Sequence, residues 1–416
     1  MRLRAAINWL HRWIGLVAAG FLLVAGLSGA LLAWYEELDA WFAPGLLTVP
    51  RASSQQVPQQ VPLDPVVLRE RVQAAYPDRW VNHLPLSQPP GRAAVFYVVP
   101  RPGVAADAPA MLQVQVNPFT GDVLGDRVTG EARWGAKHVM PFVYRLHHSL
   151  ALGLFGTVTF GFVSVLWTID CFLGFWLTLP ARAREARASA PAVAPRPSWW
   201  RRWWPAWWVR WSAGGHKRVL DLHRAGGLWL WAMLFVFAWS SVAFNLTPAY
   251  DAVMRPWLSF QPTARAVPAR AAPQPTPGMD WARAIRTGRE LMAQQARANG
   301  FQVEREDLLF YDARKALFSY YVRSSRDVRE RVGRTLVAFD ANTGELRTVW
   351  LPTGAASGDT VTSWIGGLHM AALWGWPFQA FVTLAGLGVA LLSVTGVLIW
   401  KKKADARRAA RRLRGS

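Results

Sequence analysis

Residues 146–179 read LHHSLALGLFGTVTFGFVSVLWTIDCFLGFWLTL: two adjacent histidines, His147 and His148, followed by an apolar run. From Leu154 to Leu179 the only ionisable side chains are Asp170 and Cys171. At about 1.5 Å per residue, roughly 20 such residues cross a hydrocarbon core of about 30 Å. The stretch therefore predicts a transmembrane helix with a histidine pair at its entrance.

Slid along the chain without gaps, with His147 on His369, the segment places Leu146 on Leu368, Gly153 on Gly375 and Gly174 on Gly396. This register selects His147 over His148, which falls on Met370. The same exercise lays Leu10-His11-Arg12 on Leu222-His223-Arg224, Gly15-Leu16 on Gly227-Leu228 and Ser28 on Ser240. The chain reads as a tandem duplication, and four of its eight histidines recur.

The 416 residues are 52% apolar and include 25 tryptophans, with a mean hydropathy of +0.10. That composition belongs to an integral membrane protein. Four spans are predicted, at about Trp13 to Trp34, Leu154 to Leu179, Gly226 to Leu246 and Phe378 to Trp400. The net charge of +21 is concentrated at one side of them. Residues 1–12, 181–218 and 401–416 hold 20 Lys and Arg against Glu185 and Asp405, whereas the two long loops carry mixed charge. By the positive-inside rule both termini and the middle connection are cytoplasmic, and the long loops face outward. A basic surface beside membrane spans is explained by anionic lipid, so no nucleic-acid partner is expected.

The expected fold is a membrane protein with four transmembrane helices in two parallel tandem repeats and two periplasmic α+β modules. The divisions are the first helix to residue 34, a module over 35–145, the second helix over 146–180, and a Trp/Arg-rich connector over 181–221. The third helix (222–247), a second module (248–364), the fourth helix (365–400) and a basic tail (401–416) follow. The first module opens with a Pro, Ser and Gln-rich linker to about Pro62. Then come a helix started by Asp64-Pro65, strands at Ala93 to Val99 and Met111 to Val116, and a turn at Asn117 to Leu124. The second repeats the recipe: a helix from Asp280 to about Asn299, strands near Leu308 to Val322 and Arg334 to Phe339, and a turn at Asp340 to Leu346. The basic start followed by an apolar run reads as an uncleaved first helix, since that run is too long for a signal peptide.

Cys171 is the only cysteine, so a disulfide, a Cys-ligated zinc or iron–sulfur site and a covalent C-x-x-C-H haem attachment are excluded within the chain. No Gly-rich nucleotide fingerprint or P-loop is present. In parallel repeats equivalent residues share a depth. His11 and His223 would then face each other near one side of the membrane, and His147 and His369 near the other. Histidine is the usual axial ligand of non-covalent haem, and one haem per pair is the economical reading. Structural, hydrogen-bonded histidines are the bland alternative. Arg12, Arg224 and Arg145 are candidate propionate partners, or ordinary interfacial anchors. His148 is an alternate ligand, and His83, His138 and His216, which lack repeat partners, are expected at the surface. Asp170 faces a cavity or partner, carries protons, touches a quinol, or is a hydrogen-bonded carboxylic acid. Gly15, Gly20, Gly26 and Gly29 in the first helix, with Gly386, Gly388 and Gly396 in the fourth, serve helix packing or cofactor clearance. Trp199 to Trp211 reads as an interfacial segment.

These residues resemble the PepSY-associated transmembrane proteins of bacteria. The resemblance is carried by Leu10-His11-Arg12-Trp13 with Gly15-Leu16, Leu146-His147 with Leu150, Leu222-His223 with Gly226-Gly227, and Leu368-His369 with Gly396. Asn117-Pro-Phe-Thr-Gly and Asp340-Ala-Asn-Thr-Gly look like parts of PepSY units. The resemblance implies an inner-membrane protein whose four histidines hold two b-type haems, acting as an oxidoreductase. It would reduce a periplasmic ferric siderophore or ferric chelate to release Fe(II). A quinol or a separate cytoplasmic reductase would be the electron donor. The alternatives are a non-catalytic PepSY sensor or peptidase-regulating protein, or a siderophore permease component.

Overall fold

The computed structural model describes residues 2–49, 61–101, 110–129, 133–181 and 198–415. Most of the predicted Pro, Ser and Gln-rich linker and the first part of the connector lie outside them. The chain divides into two compact units: Met1–Ala33, Tyr144–Ala252 and Pro377–Ser416 form one, and Trp34–Val143 with Val253–Trp376 the other.

Four helices of the first unit are long and apolar enough to cross a membrane: α1 (Arg2–Leu32), α2 (Gly153–Thr178), α3 (Gly215–Asn245) and α4 (Gly375–Gly415). They exceed the predicted spans of α1, α3 and α4 because an apolar run marks only the part suited to hydrocarbon. Helical hydrogen bonding continues through the flanking polar turns. Close packing of α1 on α4 depends on missing side chains. A Cβ on Gly26 would stand 2.6 Å from the Gly386 carbonyl oxygen, and one on Gly386 2.8 Å from that of Gly26. The buried Gln379 Nε2 then donates 2.9 Å to the Ala33 carbonyl, serving a backbone group left over at the end of α1. Helices α2 and α3 meet through Phe172, Phe175, Trp231 and Phe235, and Trp231 Nε1 donates to the Cys171 carbonyl at 3.0 Å.

The helix break before α2 corrects one expectation. His147 is not on the spanning helix but on a separate one, Val139–Ser149. Leu150, Ala151 and Gly153 then take positive φ values of 50°, 59° and 61°. The second half does the same: His369 ends the helix Ser357–His369, and Ala371, Trp374 and Gly375 are left-handed before α4 begins.

In the second unit one sheet has the order β1 (Arg79–Val81), β3 (Ala94–Pro100), β4 (Leu112–Val116), β5 (Val123–Val128). The other is β2 (His83–Pro85), β6 (Val303–Asp312), β7 (Leu317–Ser324), β8 (Thr335–Asp340), β9 (Leu346–Trp350), and every pairing in both sheets is antiparallel. Strand β2 comes from the segment between α1 and α2 yet pairs with β6 of the segment between α3 and α4, His83 opposite Phe310 and Pro85 opposite Leu308. The two segments accordingly share one apolar core that includes Val72, Phe96, Val114, Met292, Phe318 and Phe339. Asp64 and Asp280 cap their helices, accepting from Val66 N and Arg283 N at 2.7 Å each. The turns after β4 and β8 are built alike. Asn117 Oδ1 accepts from Phe119 N, Asp340 Oδ1 from Asn342 N, and the left-handed position falls to Gly121 and Gly344.

Two histidines expected at the surface are not there. His138, ending a short 3-10 turn, is 5% exposed, and His83 is half-buried on β2 with its ring edge-on to Tyr97 at 4.9 Å. Their burial follows from partners distant in sequence.

Candidate functional site

His11 and His223 meet within the helical unit, their ring centroids 6.1 Å apart and tilted by 56°. They stand on α1 and α3, each a little over two turns from its helix start. A glycine of the neighbouring helix faces each ring. A Cβ on Gly174 of α2 would lie 3.3 Å from His11 Cε1, and one on Gly396 of α4 would lie 3.3 Å from His223 Cε1. Both rings are thus seated where only hydrogen fits without displacement.

Each ring is also fixed by its Nδ1. His11 Nδ1 donates to Asp170 Oδ1 at 2.9 Å. His223 Nδ1 faces the Leu392 carbonyl at 3.1 Å and Thr395 Oγ1 at 3.0 Å, while that hydroxyl donates to the Leu391 carbonyl at 2.7 Å. His147 is held in the same manner further along the bundle: its Nδ1 faces the Ala25 carbonyl and Ser28 Oγ, both at 3.1 Å, and Gly29 lies under its ring. A carbonyl oxygen only accepts, so Nδ1 carries the proton and Nε2 keeps its lone pair. That is the tautomer a metal-binding histidine needs, with the outer nitrogen anchored. Along α1 these two layers are separated by about 25 Å of helix.

His148 turns away from this arrangement, its Nδ1 donating to the Tyr144 carbonyl of its own helix at 2.8 Å and its ring beside Tyr144. His369 lies in the other unit, at the end of Ser357–His369. Arg12 and Arg224 follow their histidines and share a feature: the Nε of each is buried without a hydrogen-bond partner. Arg224 otherwise donates to Asp221 Oδ1 at 3.0 Å and to the Pro205 carbonyl at 2.7 Å, and Arg12 lies over the Trp13 ring. Arg145 is partly buried two residues before His147.

The donor set suits haem. Two imidazoles bound to opposite sides of one metal ion, each with nitrogen about 2 Å away, put their ring centroids about 6 Å apart. Two ligands alone leave a bare ion under-coordinated, and among the described residues no group of three or more His, Cys, Asp or Glu gathers for one. A porphyrin would complete the coordination, and its propionates would find N–H donors at Arg12 and Arg224, whose Nε groups are buried without a hydrogen-bond partner.

The sequence named the histidines and arginines but not what holds them. Ser28, Thr395, Gly174 and the pairing of Asp170 with His11 emerge only in three dimensions. The recurrence of Gly174 on Gly396 and Ser28 on Ser240 was the signal that reached toward them.

The fold and site define a multi-pass membrane protein with histidines anchored in layers across a helical bundle, joined to an α+β unit of two sheets. The family model for the PepSY-associated TM region matches residues 8–403, and the chain belongs to that family. Among curated proteins none matches it.

Proposed function

We propose that this chain is a dihaem electron-transfer protein of the bacterial inner membrane, an oxidoreductase that reduces a ferric siderophore or ferric chelate on the periplasmic side. The observation that carries the reading is the His11–His223 pair: neighbouring imidazoles at a bis-ligand spacing, each with its Nδ1 committed elsewhere. In this reading the chain is two tandem repeats with both ends cytoplasmic. His11 and His223 hold one b-type haem, and His147 and His369, equated by the repeat register, hold the second. Bound haem would supply reversible one-electron Fe(III)/Fe(II) chemistry.

The chain's own residues supply the rest. Asp170, Leu392, Thr395, Ala25 and Ser28 fix ring orientation and tautomer, and Gly174, Gly396 and Gly29 leave room for the rings. Arg12 and Arg224 offer N–H groups to propionates. Ferric iron in a siderophore prefers hard oxygen ligands and holds Fe(II) less firmly, so one-electron reduction is a sensible release step. The electron donor is a quinol or a separate cytoplasmic reductase. Lipid is the partner of the connector, where Trp200, Trp204, Trp208 and Trp211 are exposed beside the exposed Arg201.

The test is the absorption spectrum of the detergent-purified chain before and after dithionite, with a haem-to-protein ratio. Sharp low-spin b-type bands at two haems per chain, with one lost in His11→Ala or His223→Ala and the other in His147→Ala or His369→Ala, support the reading. A chain that stays colourless when expressed with ample haem sinks it in favour of a regulatory PepSY role.

A further inference from the structure

Asp170 occupies the interior of a membrane-spanning helix, where a carboxyl group is costly and is retained for a reason. It is 13% exposed, and its Oδ1 accepts from His11 Nδ1 at 2.9 Å. In the register that lays His147 on His369, Asp170 falls on Leu392 and Leu173 falls on Thr395. The halves have exchanged these positions: the first uses a carboxylate and leaves the next turn apolar, while the second uses a hydroxyl one turn later and leaves the carboxylate position apolar. His223 accordingly donates to neutral oxygens of Leu392 and Thr395. His147 does so too, facing Ala25 and Ser28. His11 and His223, which share a layer, thus differ in whether Nδ1 meets a carboxyl group.

A hydrogen bond from a ligating imidazole to a carboxylate makes the other ring nitrogen a stronger electron donor, and stronger donation favours the more positive oxidation state of the iron. We propose that Asp170 is a positioning residue that lowers the potential of the haem site at the His11–His223 layer. This inference rests on the haem reading above. It assigns Asp170 a tuning role rather than contact with substrate.

The experiment is a spectroelectrochemical titration of the haem-loaded full chain and two variants. Asp170→Asn keeps an accepting oxygen and removes the charge. Asp170→Leu combined with Leu173→Thr rebuilds the arrangement of the second half. The expected result is an upward shift of one midpoint potential in both variants, the other unmoved and two haems retained. The shifting wave should be the one missing in His11→Ala. Unmoved potentials in both variants overturn the inference while leaving the haem reading intact. So does an Asp170→Asn chain that loses one haem, if the double variant restores it at the wild-type potential, because Asp170 would then be structural only. A wild-type chain without haem removes the haem reading and this inference together.

Discussion

In the first half of the chain the histidine of the shared layer donates to a carboxylate, and in the second half to a backbone carbonyl and a threonine hydroxyl. The seat is otherwise the same, with a glycine under each ring at the same clearance of 3.3 Å. The two segments between the spans show a parallel difference. In the first, buried Arg127 ties the helix Tyr35–Phe42 to strand β5 through Asp39, with Nη1–Oδ1 and Nη2–Oδ2 at 2.8 and 2.7 Å. In the second, Gln261 donates its backbone N–H and Nε2 to Asp359 and closes both ways on Leu351. The comparison teaches that a mechanical requirement, a fixed ring or a clasped loop, tolerates different chemistry provided each buried polar group is paired. Charge placement is then the part free to differ.

The largest effect should come from the ionic clasp. Arg127 and Asp39 are 4% and 5% exposed in their side chains, and Arg127 Nε also donates to Gln113 Oε1 at 2.7 Å. Arg127→Ala strands a buried carboxylate and should cost about 3–5 kcal/mol. Gln261→Ala should cost about 1–3 kcal/mol, because it opens only neutral backbone partners and one side of Asp359. Urea unfolding of the two variants in detergent checks the ranking. Equal losses would mean that the two clasps do equivalent work despite their chemistry. Arg127→Met with Asp39→Leu should recover most of the loss, since removing both charges removes the stranded one.

Next in size are the glycines beneath the rings. Gly174→Val and Gly396→Val push against His11 and His223, and overpacking of this kind costs about 1–3 kcal/mol. On the proposed haem reading, each should weaken haem uptake at that layer by about tenfold or more and leave the other layer unchanged, read as the haem-to-protein ratio at limiting haem. Equal losses in the two variants would show that the halves share a seat. Unequal losses would locate a further difference beyond Asp170.

What the sequence made legible follows from the range of each signal. The spans, the caps at Asp64 and Asp280 and the turns at Asn117 and Asp340 are local patterns, and they stand where the residues predicted them. The histidine layer at His11 and His223 was legible because duplication prints the same residue twice. Asp170 and His11 are 159 residues apart, Asp39 and Arg127 88 apart, and no periodicity connects them. The break after Ser149 was hidden for another reason. Leu150 and Ala151 have no preference for left-handed backbone, so tertiary packing rather than propensity places the turn there. Strands β1 and β2 are three residues each, too short for alternation to register, and β2 joins a sheet encoded more than two hundred residues later.

That crossing strand carries the smallest predicted effect and the sharpest asymmetry, for His83 has no counterpart in the second half. Burial pushes its imidazole down to about 4 from an ordinary value near 6.5, and its Nδ1 has no hydrogen-bond partner. The folded protein thus keeps a neutral ring in a range where the unfolded chain takes up a proton. Stability from this group is complete above about pH 6.5, declines as pH falls toward about 4 and is flat below. The expected loss across that window is about 1–2 kcal/mol, less than the full shift implies because the ring keeps some solvent. His83→Phe preserves the edge-on packing against Tyr97 and removes the proton site, so melting temperatures of the variant should lose this component of pH dependence between pH 4 and 6.5. A variant whose pH profile parallels the parent would mean that His83 is solvated. Strand β2 would then not be seated against β6 as the antiparallel register His83–Phe310 requires, and the two segments would stand as separate modules.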